Sequence, residues 1–293
     1  MAQPSDIPVD NPRDPVEPQQ QRTADTENFP VGSWLLPAKL RRHIALYYAF
    51  ARAADDIADD EARDPNRKIA ELDAMEAALS GVSTPEAPTP TEQKALRLRD
   101  SMAETNVPIA HGAEILRAFR QDALKPRYQN WSELMDYCRY SAAPVGRYLL
   151  DLHGESRETW PSSDALCASL QVLNHVQDCQ VDYHRLDRVY LPLDWFARAR
   201  GTVEELDQPF ASPAVRAVLE RCLDGCDALN REASALPGLI SDRRMRMEAA
   251  VIVAIAHRLC KRLRRGDPVA RRIELGLSGK LACLVTGVWT GLW

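Results

Sequence analysis

Two acidic patterns in this 293-residue chain have the spacing of metal chemistry. The first is Arg52-Ala-Ala-Asp55-Asp56-Ile-Ala-Asp59-Asp60, and the second is Gln171-Val-Leu-Asn174-His-Val-Gln177-Asp178-Cys-Gln-Val-Asp182. At about 100° per residue in a helix, Tyr48, Arg52, Asp55 and Asp59 fall within an arc of roughly 60°, and Gln171, Asn174, Asp178 and Asp182 within one of roughly 80°. Oxygen ligands at i and i+4 suit a hard divalent cation, and magnesium typically takes one or two carboxylates and completes its shell from water and substrate phosphate. Like charges at this spacing destabilise an isolated helix and need compensation, part of which Arg52 and Arg63 can supply. An acidic helix end held by arginines would be a purely structural reading of the first pattern. A second pattern of the same design about 120 residues later strengthens the chemical one. Two such helices facing each other predict a bundle that holds Mg²⁺ between carboxylates, where the metal receives a departing diphosphate.

The elements that must carry these residues are legible in the apolar pattern. Leu40, Ile44, Tyr47, Ala51, Ala54 and Ala58 make a stripe beside the first acidic face, while Leu170, Leu173, Val176, Cys179 and Val181 cover other sides of the second. Both acidic faces therefore border a core, where polar groups are expensive unless something binds them. The chain is 45% hydrophobic with only 13 glycines, and is rich in Ala, Leu, Arg, Glu and Asp, a helix-forming composition. Between Pro37 and Trp293 there is no long linker, repeat or alternating strand pattern, which predicts an all-α, single-domain helical bundle. Turn signals bound helices near 38–60, 66–80, 91–104, 109–122, 131–152, 163–183, 212–235 and 242–265, with short pieces near 193–199 and 279–290. Pro144 should kink the fifth of these.

A net charge of −5 gives no general footprint for a nucleic-acid partner. Seven cysteines lie scattered in apolar stretches with no CxxC pair, as expected of reduced thiols in a cytoplasm. Residues 1–27, rich in Pro, Gln and Asp, read as a disordered tail without a secretory signal, and the folded domain as 28–293. The apolar stretch Leu281–Trp293 is too short to span a hydrocarbon core, which needs about 20 residues. It could still lie on a membrane surface, and the nearby basic run Arg258–Arg265, ordinarily read as pairing with a helix C-terminus, would suit peripheral contact at the inner face of the membrane.

These segments, in order over about residues 28–265, resemble the squalene/phytoene synthase family. Tyr48 to Asp60 looks like its first aspartate-rich motif and Leu170 to Asp182 its second, followed by Arg188-Val-Tyr190-Leu-Pro192. Tyr137-Cys138-Arg139-Tyr140-Ser-Ala-Ala-Pro-Val145-Gly146 looks like the helix between them. The resemblance implies an isoprenoid synthase bundle with a central apolar cavity, in which Asp55, Asp59, Asp178 and Asp182 bind Mg²⁺ and take part in catalysis. It places Gln171 and Asn174 beside the diphosphate, Tyr48 and Arg52 on phosphate, and Tyr137 at the reaction centre. Gln177, Arg188 and Tyr190 fall within the matching motifs, and Gly146 would let a helix or a prenyl chain approach closely.

Two features resemble one bacterial branch of that family, the hydroxysqualene synthases of hopanoid pathways. One is the opening Glu27-Asn28-Phe29-Pro30-Val31-Gly32-Ser33, which makes Ser33 a substrate-binding candidate. The other is Gln177, at a position where synthases that condense two prenyl diphosphates usually carry Arg. The branch implies presqualene diphosphate as substrate, handed over from a presqualene diphosphate synthase, and water rather than hydride as the quencher, so NADPH is not expected. Tyr137, Tyr140, Ser141 and His175 are the candidates for placing that water. A head-to-head condensing enzyme acting on farnesyl diphosphate, and a non-catalytic helical family member, remain the competing readings.

Overall fold

The computed structural model describes residues 37–292, with side-chain environments as far as Gly287. The tail at 1–27 and the candidate Ser33 lie outside the described residues. The first four helices are α1 (Ala38–Ala58), α2 (Pro65–Ser80), α3 (Pro90–Thr105) and α4 (Ala110–Leu124). Their ends follow local chemistry. Asp64 accepts from the Asn66 amide ahead of Pro65, and Thr89 with Glu92 forms a reciprocal capping box ahead of Pro90. Gly81 closes α2 at φ 77°, a conformation glycine adopts at little cost. The four helices bury one apolar cluster in which Phe50, Leu72, Met75, Leu98 and Leu116 are fully enclosed. Each such side chain contributes about 1.5–3 kcal/mol of transfer free energy.

The middle of the chain holds α5 (Trp131–Ser141), α6 (Ala143–His153), α7 (Trp160–Gln177), α8 (Cys179–Leu186) and α9 (Leu193–Arg198). Where the sequence predicts one helix over 131–152, the structure breaks it at Ala142, one residue before the first turn of α6 that contains Pro144. Proline supplies no N–H to the preceding turn, so the predicted kink becomes a full interruption. The second break was not anticipated. The helix expected over 163–183 starts earlier, at Trp160, and is interrupted at Asp178, which leaves helical geometry at φ −106°, ψ 8°. Asp178 still donates its amide to the Asn174 carbonyl and accepts from the Asp182 amide, so the two helices remain stacked end to end.

The last helices are α10 (Pro213–Ala233), α11 (Leu236–Leu239), α12 (Arg243–Arg265) and α13 (Leu277–Leu292). Helix α7 packs against α10 and α12, and α13 lies along α12. Helices α4, α5 and α6 link the halves, because α4 packs on α1, α5 and α6 while α5 and α6 pack on α7. The carbonyls closing α12 at Arg264 and Gly266 accept from Arg216 of α10, so the helix end is satisfied by another helix and not by its own basic run. Two irregular segments also run side by side: the Val189 amide donates to Pro126, and those of Leu193 and Asp194 to Tyr128 and Gln129. That pairing fixes the stretch containing Arg188 and Tyr190.

Candidate active site

On α1 the acids are compensated from within the helix. Arg52 lies 3.0 Å from Asp55 and 2.9 Å from Asp56. Asp59 is the C-terminal cap of α1, its amide bonded to the Asp55 carbonyl. Burial and the neighbouring Asp59 carboxylate push the Asp55 acid up to about 7, against the opposing pull of Arg52. Its side chain keeps 35% of its exposure, so the carboxyl occupies a recess open to solvent, where like-charge repulsion persists but the loss of hydration is partial. Tyr48, one turn before Arg52, is half-buried on the same helix.

Arg188 joins this face to the residues after the second motif. Its guanidinium donates to Asp59 at 2.5 Å and to the Ala58 carbonyl at 2.7 Å, with its own side chain 8% exposed. The Ala58 carbonyl also accepts from Lys68 at 2.8 Å, so the negative end of α1 meets two cations. Arg185 of α8 pairs with Glu61 at 3.2 Å, a second link between the same regions.

Behind Arg188 lies a buried carboxylate that sequence reasoning missed. Asp122 of α4 accepts the hydroxyls of Tyr137 and Tyr190, each at 2.8 Å. Burial pushes its acid up to about 6, while Arg188 and the two hydroxyl bonds pull it down. Burial and Asp122 raise both tyrosines well above the phenol range, so they stay neutral donors. Tyr190 stacks on His175 with centroids 3.6 Å apart, and Tyr128 and Tyr137 complete the aromatic group at 5.3–5.4 Å. Gln171 contacts His175 at 3.3 Å. The signal for Asp122 was present in the sequence: it continues the row of Ile115 and Ala118, both buried on α4, and a carboxylate on an apolar row needs partners.

The second motif is completed from far along the chain. The carboxylate of Asp178, 5% exposed, pairs with Arg272, which lies in the segment between α12 and α13. Gln177 is buried and donates to the Ile273 carbonyl at 2.6 Å. Arg272 is the second residue that sequence reasoning missed; one arginine in a basic, irregular stretch carries no periodic signal. Asn174 and Asp182 are half-buried on α7 and α8, and the Asp182 carbonyl accepts the Arg188 amide at 3.1 Å.

The structure thus gathers Asp55, Asp59, Arg52 and Arg188 on one side, and Tyr137, Tyr190, Gln171 and His175 around Asp122. The Asp182 carboxylate is close enough to Tyr190 to raise its phenol, while the bond from Arg188 to Asp182 is between main-chain groups. Gly146 is different: a Cβ there would meet Ser163 and, at 2.7 Å, the Cys167 sulfur, so its smallness serves the contact of α6 with α7. The amide nitrogen of Gln177 is bonded to the C-terminal segment.

Among the described residues no three His, Cys, Asp or Glu side chains gather as a protein-only metal cage. Asp55 with Asp59, and Asp178 with Asp182, are instead two i,i+4 carboxylate pairs, a donor type that would supply one or two oxygens to a divalent cation and leave the rest of its shell to other ligands.

Residues 23–278 match the family model for squalene/phytoene synthase. The chain is 43% identical over 254 residues to a hydroxysqualene synthase of Rhodopseudomonas palustris, spanning 87% of this chain and 85% of the relative. It is 41% identical over 249 residues to a hydroxysqualene synthase of Sinorhizobium fredii, spanning 85% and 83%. Among solved structures, squalene synthase HpnC from Alicyclobacillus acidocaldarius matches with a TM-score of 0.69 at 33% identity, covering 80% of this chain and 87% of that one.

Proposed function

The chain belongs to the squalene/phytoene synthase family, and from that premise we propose that it is a hydroxysqualene synthase acting in the cytoplasm on presqualene diphosphate. The C–O bond to diphosphate breaks heterolytically, and the leaving group departs with the electron pair. The resulting cyclopropylcarbinyl cation rearranges and opens; water adds and loses a proton, giving hydroxysqualene on the route to squalene and hopanoids. The substrate is supplied by a presqualene diphosphate synthase. The observation that carries the reading is the junction at Arg188, where a residue following the second acidic motif bonds Asp59 of the first. The relatives, 41–43% identical over most of the chain, support the same reaction.

Asp55, Asp59, Asp178 and Asp182 are the residues that would hold Mg²⁺ with the diphosphate. The chemistry the metal supplies when bound is withdrawal of electron density from the leaving group. Arg52 and Arg188 keep their charge throughout and stabilise negative charge at the mouth of the site. Arg272 adds a third guanidinium beside Asp178. The hydroxyls of Tyr137 and Tyr190 are committed to Asp122, so the Tyr137 ring, not its oxygen, is what would face a carbocation, while the Tyr190 ring is stacked on His175 and backs that wall. Gln177 is neutral and bonded to Ile273, which supports a site for one diphosphate over a site for two.

The test is product analysis after incubation with presqualene diphosphate, Mg²⁺ and ¹⁸O-labelled water, with and without NADPH. Labelled hydroxysqualene independent of NADPH is expected, together with loss of turnover on chelation and recovery on adding Mg²⁺. Squalene formed only with NADPH, or turnover of farnesyl diphosphate alone, would overturn the assignment.

A further inference from the structure

We propose that α12 and α13 form a docking face for an anionic phospholipid bilayer, with α13 lying in the interface. Leu277, Leu281 and Val285 are 88%, 61% and 63% exposed. At i, i+4 and i+8 they form one row within an arc of about 80°. The row cannot turn inward, because the opposite side of α13 is already fixed. Cys283 is buried with Val251 and Ile255, and Gly287 sits so close to α12 that a Cβ would meet the Val251 Cα at 2.5 Å. No helix among the described residues is long and apolar enough to cross a membrane, so the row suits lying on one.

Charge selects the occupant. Residues 243–280 carry eleven Lys and Arg against three Asp and Glu, in a chain whose net charge is −5. Arg258, Lys261, Arg262, Arg265, Arg271 and Lys280 are all exposed. Beside α13 runs a groove of about 500 Å³ with Pro237, Ala250, Val253 and Ala254 along it and Arg258 and Lys261 towards the C-terminal end of α12. An apolar channel with cations at one end matches a lipid, with acyl chain on the floor and phosphate at the basic end. A second copy of the chain fits less well: a two-fold contact would set row against row and basic face against basic face.

The inference rests on this surface alone and does not depend on the reaction assigned above. Its test is flotation of the full chain with phosphatidylcholine vesicles, with and without phosphatidylglycerol. Binding to the mixed vesicles only, weakened by salt, is expected. Leu281→Asp with Val285→Asp, and separately Arg258→Glu with Lys261→Glu, should each lower partitioning by roughly tenfold or more with Tm retained. The charge reversals fall on exposed positions and guard against simple misfolding of the apolar variant. Wild-type protein left in the soluble phase, or binding unaffected by both variants, would overturn the proposal. So would a wild-type dimer that Leu281→Asp with Val285→Asp converts to monomer without any vesicle binding, since that assigns the row to a second copy.

Discussion

At Asp55 and Asp56 the counter-charge comes from the same helix, with Arg52 reaching both one turn along α1. In the second acidic segment, Asp178 finds its partner in Arg272, 94 residues further on. The spacing of the acids is the same, yet Asp55 is compensated within its own helix and Asp178 only when the C-terminal segment has docked. Chemistry that depends on the acids alone should therefore respond alike to changes in either segment, whereas stability should not.

Asp55→Asn and Asp178→Asn are expected to lower turnover alike, by roughly 10³-fold, if both hold the diphosphate-bound metal. Melting should separate them. Asp55→Asn relieves repulsion with Asp59 and leaves Tm unchanged or higher, while Asp178→Asn takes from Arg272 its buried partner, leaves it Glu274 alone and costs about 2 kcal/mol. Equal melting shifts would break the comparison.

The next largest effect concerns the junction. Arg188→Ala removes the partner of Asp59, one of the two donors to the Ala58 carbonyl and the cation beside Asp122, and is expected to destabilise by about 3–5 kcal/mol in denaturant melts. A loss below about 1 kcal/mol, the size typical of surface pairs, would show that the two segments are not coupled through it.

The smallest effect is a pH dependence confined to the wall between them. Asp122, with its acid pushed up from 3.8 to about 6, binds its proton more tightly in the folded chain than in the unfolded one. Its contribution to stability is therefore fully present below the unfolded value and is lost as the pH rises through about 6, amounting to roughly 3 kcal/mol at most. Melts of wild type and Asp122→Asn across that window should show the variant gaining relative to wild type as pH rises. A constant difference would place the titration elsewhere.

The same contrast explains what could be read in advance. Most helices, the acidic face of α1 and the interruption near Pro144 follow from periodicity, capping residues and proline, all of which act within a few turns. The break at Asp178, the pairing of Arg272 and the cap that Arg216 places on α12 depend on side chains brought together by the finished fold, and no local pattern announces them. Asp122 lies between these cases. Its row on α4 was visible, but its two tyrosine partners, 15 and 68 residues away, were not.

One consequence of that carboxylate reaches beyond stability. With both hydroxyls tied to a single anchor, neither phenol can swing to another rotamer without giving up a buried bond. A migrating cation passing such a wall would meet the same contour at every step of its rearrangement. Which carbon skeleton leaves would then be decided by moulding and not by speed.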